Sequence, residues 1–265
     1  VTAGASPTSL PPERQTEWRN LTAPEVSARF AAGAIALWPI GATEQHGPHV
    51  ATGFDHVAAE AVVHAAAARL VPDVVVLPTL SLGCSPHWMS LGGTLSLTHE
   101  TLFAVLREVC HSVKQAGASH IVMVNGHMGN VGTGISVLSE FVDPGLNVEF
   151  VSYWDLIERR VLVDTMQHDA GVGHAGEFET AIGLHLGDLV REQAIPRAHD
   201  ESSWAGSGFD GPSVHRAVRS ADDTVDGVVG SASAATPRLG RVVVQAAVDG
   251  LVTHCVEVLR DVIPK

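Results

Sequence analysis

Four short apolar runs, separated by stretches of helical character, constrain this chain more than any other feature. They are residues 34–40 (AIALWPI), 74–77 (VVVL), 120–124 (HIVMV) and 148–152 (VEFVS). Each has the length and branched composition of a buried strand. Between them lie segments with helix signals. Residues 21–30 follow Thr22 and the Pro24-Glu25 pair, and residues 56–70 are rich in alanine. Residues 98–117 open on a threonine and stop at a glycine, with Leu102, Val105, Leu106, Val109 and Val113 near a 3.6-residue period. Further helices are expected over 131–142, 177–186 and 238–260. Strands alternating with helices predict an α/β fold, a mainly parallel sheet with helices on both faces.

Residues 81–93 read as a Gly-rich loop and 199–236, rich in Ser, Gly and Asp, as irregular structure. Residues 1–20 lack periodicity and form an arm. No repeat or linker divides the rest, so 21–265 are expected to make one domain. A hydrophobic content of 45% supports a large core, and with 17% charged residues the chain is neither disordered nor fibrous. The net charge of −13 disfavours nucleic acid and anionic membrane surfaces as partners. Cys84, Cys110 and Cys255 are odd in number and without motif spacing, which fits reduced thiols. The N-terminal residues show no apolar signal stretch, and no uninterrupted apolar run approaches the ~20 residues of a membrane helix. A cytoplasmic protein is expected.

The chemistry-bearing residues fall in three clusters. Gly41-Ala42-Thr43-Glu44-Gln45-His46-Gly47-Pro48-His49, followed by Asp55, begins just past the first strand. Ligand sites of parallel α/β sheets gather beyond the carboxyl ends of strands. Glu44 and His46 share a side of an extended segment, and Asp55 comes within reach if the loop folds back. A polar loop with a capping Asp explains the same residues as well. Asn125-Gly126-His127-Met128-Gly129-Asn130 follows the third strand, and its glycines permit a sharp turn beside a ligand. In isolation it reads equally as a tight turn with an exposed histidine.

The third cluster is Gly173-His174-Ala175-Gly176-Glu177-Phe178-Glu179-Thr180. In a helix His174 and Glu177 share a face, so Glu177 is the candidate ligand and His174 the candidate acid or base. Glu179 is read as the ordinary first-turn acid that a helix dipole favours, and stays outside the metal set. Taken together, Glu44, His46, Asp55, His127 and Glu177 suit a pair of zinc, manganese or iron ions with one bridging carboxylate. Two such ions can activate a hydroxide near neutral pH and polarise a carbonyl.

Those segments, with His87 and residues 91–97 (LGGTLSL), the stretch from Ser152 to Asp155 and the stretch from His174 to Thr180, resemble the creatininase (creatinine amidohydrolase) family over nearly the whole chain. The resemblance implies a three-layer α/β/α fold, two divalent ions per chain with zinc as the first expectation, and a homo-oligomer, often a hexamer. It implies that Glu44 and His127 hold one ion, His46 the other, and Asp55 both. Creatinine-cleaving members carry a ligand glutamate where Gly129 stands here, and an apolar residue in place of Glu177. They also carry a Trp-Asp pair where this chain has Ala170 and Gly171. Leu91 and Gly92 replace a usual Phe-Pro, and 231–233 replace a common Asp-Pro. The expected activity is hydrolysis of a C–N bond in a small-molecule amide, lactam or formamide by a metal-bridging hydroxide, with His174 donating a proton to the leaving nitrogen. The alternatives are a metallopeptidase acting on a specific small peptide and a catalytically silent scaffold.

Overall fold

The computed structural model describes residues 15–142, 145–168, 171–197, 224 and 226–262. Much of the arm expected over 1–20, most of the irregular 199–236 stretch, and Ala170 lie outside the described residues. Four strands, β1 (Ile35–Ile40), β2 (Val74–Val76), β3 (His120–Asn125) and β4 (Asn147–Ser152), form one sheet in the order β2-β1-β3-β4. All neighbouring pairs are parallel, as the alternating pattern predicts. β1 and β3 are buried throughout, because both faces of the sheet are covered.

The helices are α1 (Ala23–Ala31), α2 (Phe54–Arg69), α3 (His99–Gln115), α4 (Val131–Val137), α5 (Arg159–Thr165), α6 (Glu177–Leu186) and α7 (Pro237–Val262). Side-chain alternation along the strands divides the core in two. Ile35 and Leu37 of β1 and Val122 and Val124 of β3 pack with α2, α6 and α7. Ala36, Trp38, Ile40, Ile121 and Met123 face the other way, onto α1 and α3. In α3 the buried stripe is Leu102, Leu106, Cys110 and Val113, and burying each leucine is worth ~1.5–3 kcal/mol. The three-layer α/β/α expectation is met. Cys84, Cys110 and Cys255 are all buried and unpaired.

Helix starts follow the sequence closely. Thr22 and Glu25 form a capping box on α1, and the Thr98 hydroxyl caps α3 by accepting from Thr101 N. The helix expected over 131–142 is α-helical only as α4, then tightens into a 3-10 turn over Leu138–Phe141. Glycines and β-branched residues dominate that stretch and weaken the α form. α5 was not expected, nor the 3-10 turn Pro86–Leu91 inside the Gly-rich loop. Pro237–Arg260 of α7 is long and apolar enough to cross a membrane by length and composition, although Arg238, Arg241, Gln245 and Asp249 interrupt its apolar residues. Here Leu239, Val243, Ala247, Val248, Leu251 and Cys255 lay one face of it into the core.

From β1 the chain passes through α2 to β2 on one side, then through α3 to β3 on the other. The carboxyl ends of β1 and β3 therefore flank the point where the winding reverses, where a crevice opens in such sheets. The first two chemistry-bearing clusters leave the sheet there.

Candidate metal centre

Glu44, Gln45 and His46 lie on the loop that leaves β1, Asp55 is the second residue of α2, and His127 follows the end of β3. His174 and Glu179 flank the start of α6. All of these side chains are buried. Two asparagines of the second cluster shape the loops. Asn125 Nδ2 donates to His127 O (2.7 Å) while its Oδ1 accepts from His127 N (3.1 Å), closing the turn that presents the imidazole. Asn130 Nδ2 donates to Gly41 O (3.0 Å) and its Oδ1 accepts from Cys84 N (3.0 Å), stapling three loops together. The sequence marked both positions without showing that they are scaffolding.

Asp55 stands at the middle of the cluster. Its Oδ1 lies 3.1 Å from His46 Nε2 and its Oδ2 lies 3.0 Å from His127 Nδ1. His127 Nδ1 also approaches Glu44 Oε1 (3.4 Å), and His46 Nε2 approaches Glu179 Oε2 (3.4 Å). Glu44 Oε1 is in turn 3.5 Å from His174 Nδ1. Three groups of possible ligand atoms result, each within 4.8 Å: Glu44, Asp55 and His127; His46, Asp55 and Glu179; and Glu44, His46 and His174. The first two share Asp55.

The donor set fits divalent cations. Each imidazole has one nitrogen tied to a main-chain oxygen: His46 Nδ1 to Glu44 O (3.2 Å), His127 Nε2 to Cys84 O (2.9 Å) and His174 Nε2 to Gln45 O (2.8 Å). Such a bond fixes the ring and turns the other nitrogen inward, the usual second support of a metal-binding histidine. The inward atoms are close without being aimed at one another. Glu44 Oε2, His46 Nε2 and Asp55 Oδ2 are buried and make no hydrogen bond, despite neighbours within hydrogen-bonding distance. Donors converging on a shared point, rather than on each other, are arranged as ligands are. Among the described residues the ion-pair partners of these carboxylates are histidines, not lysine or arginine.

Electrostatics follow from that crowding. Burial, with Asp55 nearby, pushes the Glu44 carboxyl up to about 7 against the pull of His127 and His46. Burial alone would lower His127, but the Glu44 and Asp55 carboxylates outweigh it and raise the imidazole to about 9. His46 is likewise raised well above the ordinary histidine range, because Asp55 and Glu179 overcome its burial. Asp55 stays below the ordinary carboxylate range, since two imidazoles outweigh its desolvation. His174 moves the opposite way. Burial holds it well below the usual value, with His46 adding to the effect.

Glu44, His46, Asp55 and His127 therefore converge as the sequence suggested, and Glu177 does not. Its Oε1 accepts from Gln167 N (2.7 Å) and its Oε2 from His168 N (2.9 Å), so this carboxylate ties down the preceding segment. Glu179 stands where Glu177 was expected. Its Oε2 accepts from Ala175 N (2.6 Å), as an acid in a first helical turn does, while facing His46. The two readings of Glu179, helix-cap acid and member of the cluster, describe one residue, and the cap signal concealed the other role. Gly129 could not carry the glutamate of creatinine-cleaving proteins without local movement. A Cβ there would lie 2.1 Å from Cys84 O and 2.4 Å from His127 Nε2.

Around the cluster, Trp88 stacks on His174 (centroids 4.4 Å, 23°), covering one face of that ring. His87, on the same 3-10 turn, lies parallel to His127 at 6.3 Å, and burial lowers its pKa to about 4. Gly92, which caps that turn, has φ 79, a conformation closed to proline.

Comparison with known proteins adds four findings. The family model "Creatininase: Creatinine amidohydrolase" matches residues 19–255. The chain is 32% identical to creatinine amidohydrolase of Pseudomonas putida over 188 residues, covering 64% of this chain and 72% of that protein. It is 30% identical over 223 residues to the mycofactocin precursor peptide peptidase of Mycobacterium tuberculosis (strain ATCC 25618 / H37Rv), covering 81% of each. Among solved structures, a mutant creatininase of Zn-Zn type superimposes with a TM-score of 0.76 at 26% identity, covering 94% of this chain and 99% of that one.

Proposed function

Since the chain belongs to the creatininase family, a hydrolytic family, we propose that it is a two-metal amidohydrolase that opens a C–N bond of a small-molecule amide, lactam or formamide. One observation carries this reading: two triads of buried ligand atoms share Asp55, and Glu44 Oε2, His46 Nε2 and Asp55 Oδ2 among them make no hydrogen bond. Glu44 and His127 would hold one divalent ion, His46 and Glu179 the other, and Asp55 both. Zinc suits this mixture of imidazole and carboxylate, with manganese or iron as alternatives. When bound, the pair supplies a nucleophile near neutral pH and polarises the scissile carbonyl.

The protein side of the chemistry falls to His174. Its Nε2–H is given to Gln45 O, and Nδ1 faces Glu44. Burial holds the pKa of the ring well below the ordinary histidine value, so it must first gain the proton that the sequence reading has it donate. At Nδ1 it takes the proton released by the attacking water and passes it to the departing nitrogen, which cannot leave as an anion. Stacking on Trp88 holds the ring in that orientation.

A peptidase is the second reading, favoured by the likeness to the mycofactocin precursor peptide peptidase over 81% of both chains. A silent scaffold is disfavoured, because both triads are complete. The test is a substrate panel of simple amides, lactams, formamides, creatinine and short peptides, given to protein loaded with Zn²⁺ or Mn²⁺. Chelator-sensitive turnover of the small amides but not the peptides supports the proposal. Turnover confined to peptides establishes the second reading, and metal-independent turnover refutes both. Creatinine itself is expected to be a poor substrate, given Gly171 and its neighbour Ala170 in place of a Trp-Asp pair.

A further inference from the structure

Between His174 and Glu179 the backbone adopts a shape that alanine resists. Ala175 has φ 51, in the left-handed region, which disfavours an L side chain roughly 5- to 30-fold. This turn lets two residues five positions apart face one centre: His174 Nδ1 lies 3.5 Å from Glu44 and Glu179 Oε2 lies 3.4 Å from His46. Something must hold it.

Both main-chain groups of Ala175 are engaged. Its N–H donates to Glu179 Oε2 (2.6 Å), and its carbonyl accepts from the Thr180 hydroxyl (2.9 Å). With its hydrogen so used, Thr180 Oγ1 accepts from His49 Nε2 (2.8 Å). His49 is fully buried, and its own carbonyl accepts from Arg191 N (2.7 Å), which fixes the residue from its other side. It lies on the same loop that carries Glu44 and His46, between β1 and α2. Neither His49 nor Thr180 belongs to any of the three ligand groups.

We propose that His49 and Thr180 are positioning residues that clamp Ala175 in its left-handed conformation, locking the loop after β1 to the start of α6 so that Glu179 and His174 reach the centre together. The clamp makes metal affinity at the Glu179 side depend on a hydrogen-bond chain that touches no metal. The proposal rests on the two-metal reading, and its test separates the two.

Apo-protein is titrated with Zn²⁺ against a competing chelator, for the parent, Thr180→Val, Thr180→Ser, His49→Leu, the His49→Leu/Thr180→Val pair and Thr180→Val/Ala175→Gly. Thr180→Val should weaken the second equivalent roughly 5- to 30-fold, the preference a left-handed alanine must overcome, and leave the first unchanged. Thr180→Ser keeps the hydroxyl and should match the parent. His49→Leu should give the same loss as Thr180→Val, and the two together no more than either alone. Ala175→Gly should restore most of the affinity lost in Thr180→Val, since glycine needs no clamp at positive φ. A threonine that merely packs would not be rescued that way, so failure of this rescue, or parent-like affinity in Thr180→Val, overturns the clamp. A parent that binds fewer than two ions overturns the two-metal reading instead. Hydrogen exchange of the metal-free protein then decides the clamp: the Ala175 amide should exchange faster in Thr180→Val and at the parent rate in Thr180→Ser, and equal rates in all three would refute it.

Discussion

Replacing Glu177 by glutamine separates the two acids at the start of α6. The Glu177 carboxylate holds two main-chain N–H groups, at 2.7 and 2.9 Å, in a buried setting. A hydrogen bond to a charged group contributes ~1.5–3 kcal/mol. An amide can accept from one N–H but turns its own NH₂ toward the other, so one bond is lost and the second falls to neutral strength. The expected cost is ~2–4 kcal/mol of folding stability. At ~2–4 °C per kcal/mol for a chain of this size, that lowers Tm on the order of 5–15 °C. Metal content should stay at the parent level, since Glu177 belongs to neither triad. Thermal unfolding and elemental analysis of the same samples check both halves. A variant with parent stability and a lost metal equivalent would refute the reasoning.

Other perturbations probe other parts. His174→Ala should keep both ions yet lose ~100- to 10,000-fold in kcat on an amide, and less on an activated ester, which needs the proton taken from water but none given to its leaving group; parent-like amide turnover would remove the proton transfer from His174. Gly129→Ala forces a Cβ against Cys84 O and His127 Nε2 and should cost ~10- to 100-fold in affinity at the His127 side, as loss of a histidine's outer support does; unchanged affinity in a titration would contradict it. Away from the centre, Glu149 accepts from His120 and His254, which lowers its pKa to about 2, while His254 is raised by Glu149. Glu149's contribution is present above its unfolded value of ~4.3 and lost as pH falls toward about 2, and His254's is present below ~6.5 and lost as pH rises through its raised value. Denaturant unfolding should therefore show Glu149→Gln most destabilised near pH 5.5 and less so at pH 9, and modestly, because both groups are about one-third exposed; an equal difference at both pH values would count against the pair.

How much of this was legible in the sequence depended on how local the signal was. The strands declared themselves, because a sheet covered on both faces needs unbroken apolar runs. Thr22 and Thr98 marked helix starts because their capping bonds span only three residues. Convergence of Glu44, His46 and Asp55 with His127 could be anticipated because each follows a strand or opens the next helix at one sheet edge. Glu179 could not be told from Glu177 by spacing. The helical rule placed Glu177 with His174, but the chain between them is not helical: Ala175 turns left-handed and α6 begins only at Glu177. That turn shifts which acid faces the centre, and it is held by a histidine more than a hundred residues earlier in the chain. Such a long-range cause leaves no local trace. α5 was missed for a related reason, since only Leu162 of its seven residues is fully buried and its pattern is faint.

The central claim is that two ions share Asp55 and that Glu179, not Glu177, completes the second set. Elemental analysis of protein equilibrated with Zn²⁺ and freed of excess, for the parent, Glu179→Gln and Glu177→Gln, tests it most directly. Two ions per chain are expected in the parent, close to one in Glu179→Gln, and two in Glu177→Gln. One ion or none in the parent, or two retained in Glu179→Gln while Glu177→Gln loses one, would contradict it.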